Sequence, residues 1–151
     1  SQYHIPNGLA WSPDNRLMYH TDTRKNIVWM HKFDARIGQP EIKRKFFTFN
    51  RDKTGAVDGA AVDIEGGYWS AMYGGERITR RYPNGKTDFD INLPVTQPTM
   101  PTFGGQNMNT LFITTARQNL TPQDLKDQPM AGGLLAIPVT FEGTPVGLFG
   151  G

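Results

Sequence analysis

Short apolar runs closed by turn residues recur along the chain, and no segment holds a sustained helical period. "LMYHTDT", "IVWMHKF" and "KFFTF" are rich in β-branched and aromatic residues, the pattern of half-buried strands. Between such runs, "SPDN", "EGG", "GGE", "PNG" and "FGGQN" carry residues that tolerate tight or left-handed backbone. One short helix is predicted over "TPQDLKDQ", Thr121 to Gln128. Thr121 serves as N-cap, Pro122 takes the first helical position and acidic Asp124 lies in the first turn.

The strand runs are self-similar. "PNGLAWSPDNRLMYHTDTRKNIVWMHKFD" aligns with "VDGAAVDIEGGYWSAMYGGERITRRYPNG", placing Asn7 on Asp58 and Gly8 on Gly59. A looser third copy, "PTMPTFGGQNMNTLFITTAR", places Thr99 at the same position. The first copy predicts strands at 7–12, 17–23, 27–34 and 43–50, and the second at 58–63, 68–73, 78–82 and 86–93. The third predicts 99–103, 110–117, 133–139 and 145–149, with 118–132 inserted as a loop. Four strands per unit of ~40–50 residues is the sign of a β-propeller blade. A β-sandwich competes, but it gives no reason for one motif to open every unit. The expected fold is therefore all-β, with about three four-stranded blades in one partial propeller domain over 1–151. Three blades do not close a ring, since propellers need ~4–8. Either further blades belong to a longer polypeptide, or a second copy completes the ring.

Composition narrows the classes. The chain has 151 residues, 37% apolar and 20% charged, enough for a packed core and unlike a disordered chain. No apolar run approaches the ~18 residues of a membrane-crossing helix, so no membrane partner is expected. No basic-then-apolar leader is visible, and a cytoplasmic location is the expectation. The absence of cysteine excludes disulfides, thiolate metal sites and a Cys nucleophile. The net charge is +2, and the only dense basic patch is Lys43-Arg44-Lys45, inside a predicted strand. Charged edge strands discourage pairing with other chains, so that patch does not point to nucleic acid.

The innermost strand of a blade lines the central channel, so Asn7, Asp58 and Thr99 are expected at one end of it. An amide carbonyl, a carboxylate and a hydroxyl are hard oxygen donors, suited to Ca²⁺, Mg²⁺ or Mn²⁺. The plain alternative is that Asn-Gly and Asp-Gly recur because each blade begins with a turn. The residues alone leave both readings open.

Four motifs in order carry a resemblance running nearly end to end: "IPNGLAWSPDNRLMYHTDT", "VDGAAVDIEGGYWSAMYGGERITRRYPNGK", "LPVTQPTMPTFGGQNMNTLFITTAR" and "LTPQDLKDQPMAGGLLAI". Together they resemble the C-terminal half of the SMP-30/gluconolactonase/regucalcin family. That resemblance implies a six-bladed propeller of about twice this length that binds one divalent cation and hydrolyses sugar lactones. The cation is Ca²⁺, or Mn²⁺, Zn²⁺ or Mg²⁺. The family's "PNGL" Asn, a metal ligand, matches Asn7. The Asp of its "DG" motif, a ligand and proposed general base, matches Asp58. The remaining family ligand, an N-terminal Glu, and its substrate-contacting Arg and Asn have no counterpart here. The resemblance thus implies half a site, inactive by itself. A non-catalytic calcium-binding propeller and an interaction scaffold are the alternatives.

Lactone hydrolysis needs a polarised carbonyl, an activated water and a stabilised oxyanion. Asp58 is the expected proton acceptor, with Asn7 holding the cation without adding charge and Thr99 and Gln97 touching substrate at the mouth. His20, Thr21 and Asp22 invite a triad reading, but strand neighbours point to opposite faces. His4 reads as a loop residue and His31 as a blade-surface one. Phe46, Phe47, Phe49, Tyr68 and Trp69 read as inter-blade core. Met72 and Tyr73 are expected on the rim opposite Asp58. Asn119 opens an "NLT" glycosylation sequon that matters only in a secreted protein.

Overall fold

A computed structural model describes residues 3–145, apart from the side chain of Ile42. The first sheet is a four-stranded meander of β1 (Pro6–Trp11), β2 (Leu17–Asp22), β3 (Ile27–Asp34) and β4 (Gln39–Thr48). The second repeats it with β5 (Ala56–Val62), β6 (Tyr68–Tyr73), β7 (Arg77–Arg81) and β8 (Thr87–Asn92). The third contains β9 (Pro98–Gly104), β10 (Thr110–Thr115) and β11 (Leu134–Pro138). Of its expected fourth strand, 145–149, all but Pro145 lies outside the described residues. Every pairing within the sheets is antiparallel. These are the predicted propeller blades, with their boundaries moved by a few residues at most.

The blades stack face to face, and two cores hold them. Tyr19, Val28, Phe47, Val57, Tyr68 and Met72 fill the space between the first and second sheets. Trp69, Ala71, Ile78, Phe103, Leu111 and Ile113 fill the space between the second and third. Tyr68 and Trp69 show why one blade serves both. They are adjacent on β6, so their side chains leave opposite faces, and each is fully buried in a different core. The Tyr68 ring lies against Tyr19, Phe46 and Phe47, while the Trp69 indole lies against Phe89, Phe103 and Phe141. Burying an aromatic side chain of this size contributes about 1.5–3 kcal/mol. The inner strands β1, β5 and β9 run side by side and line an open cavity of 690 Å³, with Leu9, Trp11, Ala61 and Met100 on its wall.

The predicted helix forms as α2 (Pro122–Asp127), with Thr121 and Asp124 closing a reciprocal capping box. A second helix, α1 (Arg51–Thr54), was not legible in the sequence pattern. Its four polar residues carry no period, and the turn is set by the Asn50 side chain accepting from the Asp52 amide. Among the described residues no helix is long and apolar enough to cross a membrane.

Candidate functional site

The opening motif of each unit has a backbone signature. In the β1–β2 pairing the register slips between Asn7 and Ala10. In β5–β6 it slips between Val57 and Ala60, so Asp58 and Gly59 stand opposite one residue. In β9–β10, Pro98 pairs with Thr115 and Met100 with Thr114, leaving Thr99 as the extra residue. Each inner strand thus bulges at or directly after the aligned position, at Gly8-Leu9 in β1, Asp58-Gly59 in β5 and Thr99 in β9, and a bulge bends the strand and re-aims its side chains. Asn7, paired with Thr21 at the edge of its bulge, and Asp58, inside its own, thus stand at inner-strand bulges rather than hairpin corners.

The glycines are required by what approaches them. Gly8 has φ +55°, and a Cβ there would collide with the Thr21 hydroxyl and the Tyr68 phenol. The Tyr68 hydroxyl instead donates to the Gly8 carbonyl at 2.9 Å, tying the second blade to the first. A Cβ on Gly59 would fall 2.7 Å from the Thr99 carbonyl and against Met100, which lets β9 pack against β5.

Asn7 and Asp58 line a common cavity of 540 Å³, together with Thr23, Arg51, Tyr73 and Gln118. Asp58 is half-buried, and no hydrogen bond or ion pair reaches its carboxylate from the described residues. Burial without compensation pushes its pKa up. The Asn7 side-chain amide nitrogen donates to the Thr23 hydroxyl at 3.1 Å, and its carbonyl oxygen has no donor among the described residues. One uncompensated carboxylate and one free amide oxygen fit a hard dication. No group of three His, Cys, Asp or Glu stands close enough to hold a metal among the described residues, so these two oxygens are a partial ligand set. Among the described residues, Arg51 is the only positively charged side chain on the cavity's lining.

Several sequence expectations need correction. Thr99 sits at the equivalent bulge but does not line this cavity. Its hydroxyl is paired with that of Thr114 across the strands at 2.7 Å. Gln97 is buried, and both ends of its amide are used: its nitrogen donates to the Gln118 carbonyl and its oxygen accepts from the Gln118 amide, each at 2.9 Å. Gln97 therefore holds the loop that presents Gln118. Tyr73 was expected on the far rim, yet it lines the cavity. Because β5 and β6 are antiparallel, the end of β6 lies beside the start of β5, and Ala56 pairs with Tyr73. Met72, its neighbour, points into the core instead.

The His20-Thr21-Asp22 run is no triad. His20 packs edge-on against Tyr3, while buried Asp22 faces the His4 imidazole at 3.6 Å and Lys25 at 3.7 Å. His31 is 6% exposed rather than a surface residue. Lys43 of the basic run lies 4.0 Å from the Trp29 ring centroid, a cation–π contact within the sheet. Arg51, Thr23 and Gln118 escaped sequence reasoning because they lie in connections between strands, outside the aligned openings of the repeats. The one available signal was for Thr23: it directly follows β2, opposite the segment before Asn7.

An all-β stack of blades with hard oxygen donors at one end of its inner strands defines a β-propeller with a polar mouth. The family described as the SMP-30/Gluconolactonase/LRE-like region matches residues 1–117. The chain is 40% identical over 147 residues to 6-deoxy-6-sulfogluconolactonase of Pseudomonas putida, covering 97% of this chain and 50% of that one. It is 35% identical over 137 residues to human regucalcin, covering 90% of this chain and 46% of that one. The solved structure of a calcium-binding protein, regucalcin, from Agrobacterium tumefaciens superposes with a TM-score of 0.87 at 30% identity, over 92% of this chain and 47% of that one. The chain belongs to the SMP-30/gluconolactonase/LRE-like family, whose members include sugar-lactone hydrolases. It spans about half the length of the relatives it matches.

Proposed function

We propose that this chain forms half of a metal-dependent sugar-lactone hydrolase. The observation that carries the reading is the convergence of Asn7 and Asp58, beside and within the bulges of neighbouring inner strands, onto one cavity. A bound divalent cation, Ca²⁺ or one of Mn²⁺, Zn²⁺ and Mg²⁺, would supply carbonyl polarisation and a more acidic water. Asn7 contributes an uncharged oxygen to hold it. Asp58 contributes a carboxylate that accepts the attacking water's proton. Tyr73 and Gln118 flank the space where the lactone would lie. Arg51 offers charge-assisted hydrogen bonds to an anionic substituent, such as the sulfonate implied by the name of the Pseudomonas relative. The blades that close the ring come from further polypeptide or a second copy, and solution mass separates the two.

Asp58→Ala in the ring-complete protein abolishes metal-dependent lactone hydrolysis, a loss of at least about 10²-fold. Near-normal turnover with metal present would sink the assignment. The description of the Agrobacterium relative as calcium-binding supports a second reading, cation binding without hydrolysis. Calorimetric Ca²⁺ binding that requires Asn7 and Asp58, with no turnover of any aldonolactone, would favour that one.

A further inference from the structure

Thr23 stands where the first two blades meet the cavity. It is 8% exposed and opens a single 3-10 turn, Thr23–Lys25, directly after β2. Its hydroxyl donates across the blade boundary to the Val57 carbonyl at 2.7 Å. A threonine hydroxyl has one hydrogen, and here it is spent on Val57. Towards any other group the oxygen can only accept. The Asn7 amide nitrogen lies 3.1 Å from that oxygen. Turned the other way, Asn7 would set its carbonyl oxygen against an oxygen with no hydrogen to give, so the relay permits one orientation of the amide.

We propose that Thr23 is a positioning residue that fixes the Asn7 amide with its nitrogen inward and its carbonyl oxygen free for a divalent cation. The proposal rests on the reading of Asn7 as a cation ligand. The same hydroxyl anchors the residue immediately before Asp58, so one side chain sets both donors of the cavity. The Thr23 backbone carbonyl also accepts from an Arg51 guanidinium nitrogen at 2.8 Å, which brings the positive charge of the lining to the same point. Partners that orient a metal ligand typically change affinity by about 10–100-fold when removed.

The test has a metal-free arm and a metal arm. In the metal-free protein, the Asn7 side-chain ¹⁵N amide signal is protected from solvent exchange in the wild type and in Thr23→Ser, and loses protection in Thr23→Val. Fast exchange in the wild type overturns the proposal whether or not the variant folds. With Ca²⁺ and Mn²⁺ added singly, calorimetry shows Thr23→Val binding about 10–100-fold more weakly and Thr23→Ser near the wild type. In an Asn7→Asp background, with no amide to orient, Thr23→Val changes affinity by less than about threefold, as a coupled pair requires. A full Thr23→Val effect in that background, or wild-type affinity in Thr23→Val alone, overturns the proposal. Unchanged affinity in Asn7→Ala refutes the ligand reading itself, an outcome distinct from the Thr23 result.

Discussion

Two aspartates at opposite ends of one inner strand have opposite surroundings. Asp63, just past β5, is fully buried and saturated. It accepts from the amides of Glu65 and Gly67 at 3.0 and 2.8 Å, the Trp69 indole at 2.7 Å and Arg80 at 2.8 Å. Arg80 is itself 2% exposed and also binds Glu65 and Asp88. Asp58, at the other end, is half-buried with no such partner among the described residues and a raised pKa. A buried carboxylate that is fully hydrogen-bonded is a piece of architecture. One left without donors in a cavity carries an energetic penalty that a bound cation would relieve. The sequence motif "DG" and the turn "DIEGG" look equally polar, and the hydrogen-bond inventory separates them.

The largest effect expected from breaking this contrast is at Asp63. Asp63→Ala leaves the Arg80 Nε, the Trp69 indole and the Gly67 amide as buried donors without an acceptor and lowers stability by about 3–5 kcal/mol, although Glu65 and Asp88 still hold the guanidinium. Urea denaturation measures it, and a loss below about 1 kcal/mol would mean the network is not structural. Asp58→Asn has the opposite profile. Without metal its stability stays within about 0.5 kcal/mol of the wild type or rises, because no contact is lost. With a divalent cation at 100 times its dissociation constant, the wild type gains about 2.7 kcal/mol and Asp58→Asn gains none. Equal cation-induced stabilisation of both proteins would place the ligand elsewhere.

The contrast also explains what the sequence revealed. Strands, repeat and fold class were legible because alternation, turn residues and aromatic runs are local signals that the sheets reuse unchanged. Asn7 and Asp58 were legible because they sit inside the repeated motif. Thr99 passed the same alignment and bulges at the same place, yet Thr114 satisfies its hydroxyl, and a pairing across strands leaves no trace in a motif. Tyr73 was misplaced through the geometry of antiparallel neighbours, whose adjoining ends share a rim. Thr23, Arg51 and Gln118 reach the cavity from connections, where chain position says little about spatial position. The Thr23 relay depends on which group holds a single hydrogen, which only the folded arrangement decides.

The smallest effect is the sharpest test of Asp58, because it needs no loss of structure. Its folded pKa lies above the ordinary value of 3.8, with burial as the cause. For a group shifted this way, protonation favours the folded state. Its stabilising contribution is fully present below 3.8 and is lost as pH rises through the folded value. The wild type should therefore gain stability relative to Asp58→Asn as pH falls through that window, and the two curves should run parallel well above it. A divalent cation binds the carboxylate and competes with the proton, so it weakens on acidification over the same range. Cation binding inside the window should release protons, read as a dependence of binding heat on the buffer's ionisation enthalpy. A difference curve that stays flat through the window would show that burial does not load this carboxylate, and the contrast with Asp63 would then rest on hydrogen bonds alone.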